Sequence, residues 1–118
     1  MKNGYKILIT LTNVLNNTFE TTNQILEAGK ETFSKNEEYI HFTLGLLKEI
    51  SNTTNNMKDE IFVMNKKLYD TVYPIVQYSN NLFNNYLLVN SYKLYDCLAI
   101  DLINLRNLLN EFLKNVDS

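Results

Sequence analysis

The chain has 118 residues, 45% of them apolar, enough for one domain with a real core, which excludes a wholly disordered chain. Three Gly and one Pro leave too little punctuation for the many tight turns of an all-β fold, so the composition predicts an all-α protein. A net charge of −2 with a single arginine, Arg106, supplies no basic stripe for phosphates and argues against nucleic-acid binding.

A first helix is predicted over about residues 5–28. Its start, "MKNGYKILITLTNVL", resembles a secretion signal faintly, but Lys6, Thr10, Thr12 and Asn13 interrupt the apolar run and no small-x-small site follows. The segment is read as mature protein. Gly29 is placed to end this helix, and "SKNE", Ser34 to Glu37, has the pattern of a capping box that opens the next.

A second helix is predicted over about residues 35–70, and a helical region follows over about 72–116. With Ile40 as heptad position a, the same position recurs at Tyr5, Thr12, Phe19, Leu26, Phe33, Leu47, Thr54, Ile61, Leu68, Ile75, Leu82 and Val89. Only Thr12 and Thr54 among these are neither apolar nor aromatic. The d positions are patchier, with Leu8, Leu15, Ile50, Met57, Met64 and Tyr78 beside Thr22, Gly29, Asn36, Thr43 and Thr71. A repeat held for so long predicts amphipathic helices packed side by side.

The polar run "SNTTNN", 51–56, tests that frame. As helix, it puts Asn52, Asn55 and Asn56 on the wet side and only Thr54 in the seam. Six poor helix formers cost about 3 kcal/mol relative to Ala, which burial of neighbours such as Ile50 offsets at roughly 1.5–3 kcal/mol each. The competing pattern is Asn56 as an N-cap ahead of Asp59 and Glu60. The frame favours continuity, and a 36-residue helix would then span about 54 Å.

Tyr73–Pro74 is expected to mark a boundary, with Thr71 as N-cap and Pro74 in the first turn, where a missing N–H is harmless. Asn90–Ser91 is another candidate break. Beyond it Tyr95, Leu98, Leu102, Leu105, Leu109, Phe112 and Val116 form a stripe in a shifted frame, widened by Ile100, Ile103, Leu108 and Leu113. So wide a stripe suits a helix at the centre of a bundle. The fold expected is an elongated antiparallel helical bundle, coiled-coil-like, in one domain over 1–118, with three long helices, or four if the chain breaks near 51–56 or 90.

No motif names a reaction. "EYIH", Glu38 to His41, has the Glu-x-x-His spacing of di-iron bundles, but the chain has one His and both residues fall on the solvent side of the frame. Cys97 excludes an internal disulfide, fits a reducing, cytoplasmic setting, and reads as a small core residue. There is no nucleophile elbow and no phosphate-binding Gly loop. No enzyme activity, cofactor or metal is expected.

Residues 71–92, "TVYPIVQYSNNLFNNYLLVNSY", carry no formal charge, yet Gln77 and five Asn argue against a membrane span. The Tyr-rich, charge-poor segment matches the composition of protein interfaces. Tyr73, Tyr78, Phe83, Tyr86 and Tyr92 are the candidate contact residues. The function expected is a non-enzymatic helical interaction or assembly protein that self-associates into a homo-oligomer. The alternative is an amphipathic coat on lipid or another apolar surface.

Overall fold

A computed structural model of the chain describes residues 2–54, 65–85 and 89–117. The fold is all-α. In chain order the elements are α1 (Lys2–Asn17), α2 (Phe19–Ala28), α3 (Lys30–Ser34), α4 (Glu37–Thr54), α5 (Lys66–Asn84), α6 (Ser91–Asp96), a π-helical turn (Cys97–Leu102) and α7 (Ile103–Asp117). Asp96, Cys97 and Ile103 keep helical φ and ψ, so α6, the π turn and α7 form one unbroken helical path. No helix among the described residues is long and apolar enough to cross a membrane.

The expected three long helices are replaced by shorter ones. α1 and α2 meet at Thr18, whose N–H and hydroxyl both donate to the Val14 carbonyl, at 3.2 and 2.8 Å. Gly29 ends α2 at φ 92 and ψ 163, a conformation essentially restricted to glycine. The next cap is Asn36, whose Oδ1 accepts from the Tyr39 N–H at 3.1 Å, two residues later than the capping-box pattern implied. The Ser34 hydroxyl instead donates to the Glu31 carbonyl at 2.7 Å. Asn36 wins because Glu37 and Glu38 then occupy the first turn of α4, where the helix dipole favours them.

The expected helix over 35–70 is also corrected. Ser51 to Thr54 are helical, Asn52 faces solvent and Thr54 is fully buried. Asn55, Asn56, Met57 and Ile61 lie outside the described residues. A separate helix then starts after Asn65, which has extended backbone and accepts from the Leu68 N–H at 3.1 Å. Pro74 therefore sits inside α5 and not in a first turn, and Thr71 is no cap. Its hydroxyl donates back to the Lys67 carbonyl at 2.8 Å. Pro74 is tolerated on an exposed face, where the carbonyl it leaves unbonded can meet water. The break expected near 90 is present: Asn90 caps α6 through Oδ1, 3.0 Å from the Tyr92 N–H.

The helices bury one cluster of apolar side chains, among them Leu8, Leu11, Ile25, Phe33, Leu47, Ile50, Leu68, Val72, Leu98, Leu105 and Leu109. Thr12 and Thr43, on the same stripe, keep their hydroxyls satisfied by the carbonyls of Leu8 and Tyr39 and turn their methyl groups inward. α1 packs on α4 and α7, and α5 packs on α4, α7 and the π turn. α4 also meets α3 and α6, so it shares the centre expected of the C-terminal helix. The Ser79 hydroxyl, fully buried between α4 and α5, donates to the Leu47 carbonyl at 3.2 Å. The particle is a slab of 43 × 29 × 18 Å, shorter than one 36-residue helix would require, and not an elongated coil.

The C-terminal stripe needs one correction. Leu98, Leu102, Leu105 and Leu109 are buried as expected, but Ile100 is 56% exposed. A π turn closes i→i+5 bonds and inserts an extra residue into the helical register. Ile100 lies two residues from both Leu98 and Leu102, roughly 200° round a helix from each, so it faces away from the stripe whether the turn is α or π.

Candidate interaction cleft

Along α5 two kinds of surface alternate. Leu68, Val72, Ile75, Val76, Ser79 and Leu82 face the core, while Tyr73, Pro74, Gln77, Tyr78 and Asn81 face away from it or edge it. Opposite them run Lys93, Asp96, Cys97, Ile100 and Asp101 of α6 and the π turn. Together these ten residues line an open cleft of about 570 Å3. A smaller recess of about 190 Å3, lined in part by Asn85 and Asn90, shares Tyr78, Asn81 and Lys93 with it.

Local contacts hold the lining. Tyr69 and Tyr73 stack with ring centres 5.3 Å apart and planes 16° from parallel. The Gln77 amide donates to the Tyr73 hydroxyl at 2.9 Å. Lys93 Nζ rests 5.4 Å from the centre of the Tyr78 ring. The Tyr78 hydroxyl is buried and has no hydrogen-bond partner among the described residues.

Burial first, then the nearby Cys97 and Asp101, pushes the Tyr78 hydroxyl up from 10.0 to about 12. Burial and then Asp101, by its charge and a hydrogen bond, pushes the Cys97 thiol up from 9.0 to about 12. Cys97 is therefore a protonated thiol at neutral pH and a weak donor to Asp101, the opposite of an activated nucleophile. The cleft holds an apolar floor, polar edges, one cation and two carboxylates.

The candidate contact residues separate. Tyr73 and Tyr78 come together in the cleft. Phe83 does not line it and lies under Lys48 Nζ at 5.7 Å. Tyr92 is 42% exposed, but it is engaged within the fold. Its hydroxyl donates to Glu31 at 2.9 Å and its ring lies 5.9 Å from Lys30 Nζ, which itself bridges Asp96 at 2.8 Å. Tyr86 lies outside the described residues.

Ile100, Lys93 and Asp101 were not among the sequence candidates. The available signal was the four-residue spacing of Lys93, Cys97 and Asp101 on one predicted helix. Glu38 and His41 are exposed, and no group of three or more His, Cys, Asp or Glu among the described residues could hold a metal ion.

No family model, curated protein or solved structure matches the chain.

Proposed function

We propose that the chain is a non-enzymatic helical interaction protein that receives part of a protein partner in the cleft between α5 and the α6–π segment. The observation that carries this reading is the convergence of Tyr73, 40% exposed, and Ile100, 56% exposed, on the same cleft from two different helices. Exposed large apolar side chains scattered singly need no explanation, whereas two on the walls of one concave surface with a polar rim have the anatomy of a docking site. A cytoplasmic, reducing setting suits a lone buried thiol that forms no internal bridge.

The amphipathic-coat alternative draws less support. The apolar stripes of α1, α4 and α5 are buried against one another, so spreading them on lipid would require opening the core.

The test is site-specific photo-crosslinking in cells, with the reactive residue placed at Ile100 and, as a control outside the cleft, at exposed Asn52. Discrete protein adducts at position 100 and none at 52 are expected. Equal labelling at both sites, or no protein adduct at position 100, overturns the reading.

A further inference from the structure

Two charges on the cleft lining have no ion partner among the described residues. Among the described residues the ion pairs are Lys30–Asp96 at 2.8 Å and Lys66–Asp70 at 2.9 Å. Lys93 and Asp101 belong to neither, and both are exposed. Lys93 rests on the Tyr78 ring, and Asp101 lies beside the weakly donating Cys97 thiol and the Tyr78 hydroxyl. They stand eight residues apart on one helical path, at most about 12 Å along its axis. Cys97 lies midway between them, and both line the same cleft.

An apolar helix laid into this cleft would strip water from a cation and an anion without returning a partner to either. The occupant must bring an anion to one end and a cation to the other, with the spacing reversed, around an apolar anchor. A two-fold rotation about an axis near Cys97 makes this same surface its own complement, because in such an interface residue i meets residue j and j meets i.

We infer that the occupant is a second copy of this chain, docked so that Ile100 of each copy enters the other's cleft and Lys93 of each faces Asp101 of the other. Ile100 enters beside Tyr73 and Pro74, which leaves the core of each copy closed. The broad side of a particle 43 × 29 Å across has room for the roughly 800 Å2 per partner that a standard interface buries. The inference rests on the cleft being a protein-docking site and adds the identity and orientation of what docks.

The experiment is size exclusion with static light scattering over a wide concentration range, on the wild-type chain, Lys93→Asp, Asp101→Lys and the double reversal. The wild-type chain is expected to reach a dimer mass as concentration rises. Each single reversal sets like charges against each other twice in a two-fold dimer, and should raise the dissociation constant roughly tenfold or more. The double reversal restores both pairs and should recover the wild-type dimer, which a merely damaged fold would not do. If a single reversal loses its helical circular dichroism, Lys93→Gln and Asp101→Asn make the same comparison with smaller losses.

A wild-type chain that stays monomeric throughout, or a dimer indifferent to the single reversals, overturns the inference. A monomer that still gives a discrete heterologous adduct at position 100 fails the second-copy assignment alone. A monomer with no adduct fails the docking reading as well.

Discussion

The guanidinium of Arg106, on α7, lies 3.6 Å from the ring centre of Phe19, at the start of α2. Its Nε donates to Asn16 Oδ1 at 2.8 Å, and the Asn16 amide donates to Asn110 Oδ1 at 3.1 Å. The only arginine of the chain thus joins the bend between α1 and α2 to the C-terminal helix. A flat guanidinium can stack and donate in one plane, which an ammonium cannot. Arg106→Lys should lower stability by about 1 kcal/mol, and Arg106→Ala by about 1–2 kcal/mol as its packing stem is also lost. Urea unfolding followed by circular dichroism measures both. An unchanged midpoint in Arg106→Lys would show that only the charge matters.

Tyr78→Phe should stabilise the protein. The hydroxyl it removes is buried without a hydrogen-bond partner among the described residues, and such a group carries an unreturned desolvation penalty of about 1–3 kcal/mol. The ring that supports Lys93 remains, at 5.4 Å. A gain of about 1 kcal/mol in urea unfolding is the expected result. A loss of similar size would mean that the hydroxyl is hydrogen-bonded in solution.

Gly29 and Gly45 should respond to alanine with opposite signs. Gly45 is exposed inside α4, and a Cβ there would meet nothing within 4 Å. Gly45→Ala therefore keeps its helical geometry, reduces the freedom of the unfolded chain and should add about 0.5–1 kcal/mol. Gly29 also has open space around it, but its φ of 92 with ψ 163 is a region that side chains avoid. Gly29→Ala should cost about 1–3 kcal/mol from backbone strain alone. Thermal melts of the two variants should move in opposite directions.

The buried set was legible and the helix lengths were not, for one shared reason. Every described heptad position from Phe33 to Leu82, Thr54 included, is buried or partly buried, so the repeat marked the core side correctly. Yet Gly29, Asn36 and Asn65 cut the chain into pieces that each turn the same stripe inward. Periodicity alone cannot tell one long helix from several that keep phase across their breaks. Caps decide that, and at residues 34–36 and 65–71 more than one polar side chain was placed to serve.

Tyr73 and Tyr78 were legible as a charge-poor aromatic pair, but their cleft was not. Its other wall is formed by the π turn and Ile100, on the side opposite the Leu98 and Leu102 stripe, and no residue type announces that α5 and this turn pack side by side. Tyr92, the candidate on the facing helix, is exposed, and its hydroxyl and ring are engaged within the fold by Glu31 and Lys30.

Cys97 should be slow to label and should make the fold sensitive to alkali. Burial, reinforced by Asp101, pushes its thiol from 9.0 to about 12. At pH 8 the reactive thiolate is then on the order of a thousandfold scarcer than in a free cysteine, so labelling by a disulfide reagent should slow by a similar factor and recover in urea. Asp101→Asn removes the neighbouring carboxylate and should speed labelling, while leaving the thiol buried. Because the folded thiol holds its proton more tightly than the unfolded one, its stabilising contribution is fully present below pH 9. It is lost as pH climbs towards 12, since the unfolded chain binds fewer protons across that window. Tyr78 acts with the same sign between 10.0 and about 12. Urea midpoints should therefore fall between pH 8 and 10.5, and the fall should be shallower in Cys97→Ala. Rapid labelling of the native protein at pH 8 would contradict the buried, protonated thiol.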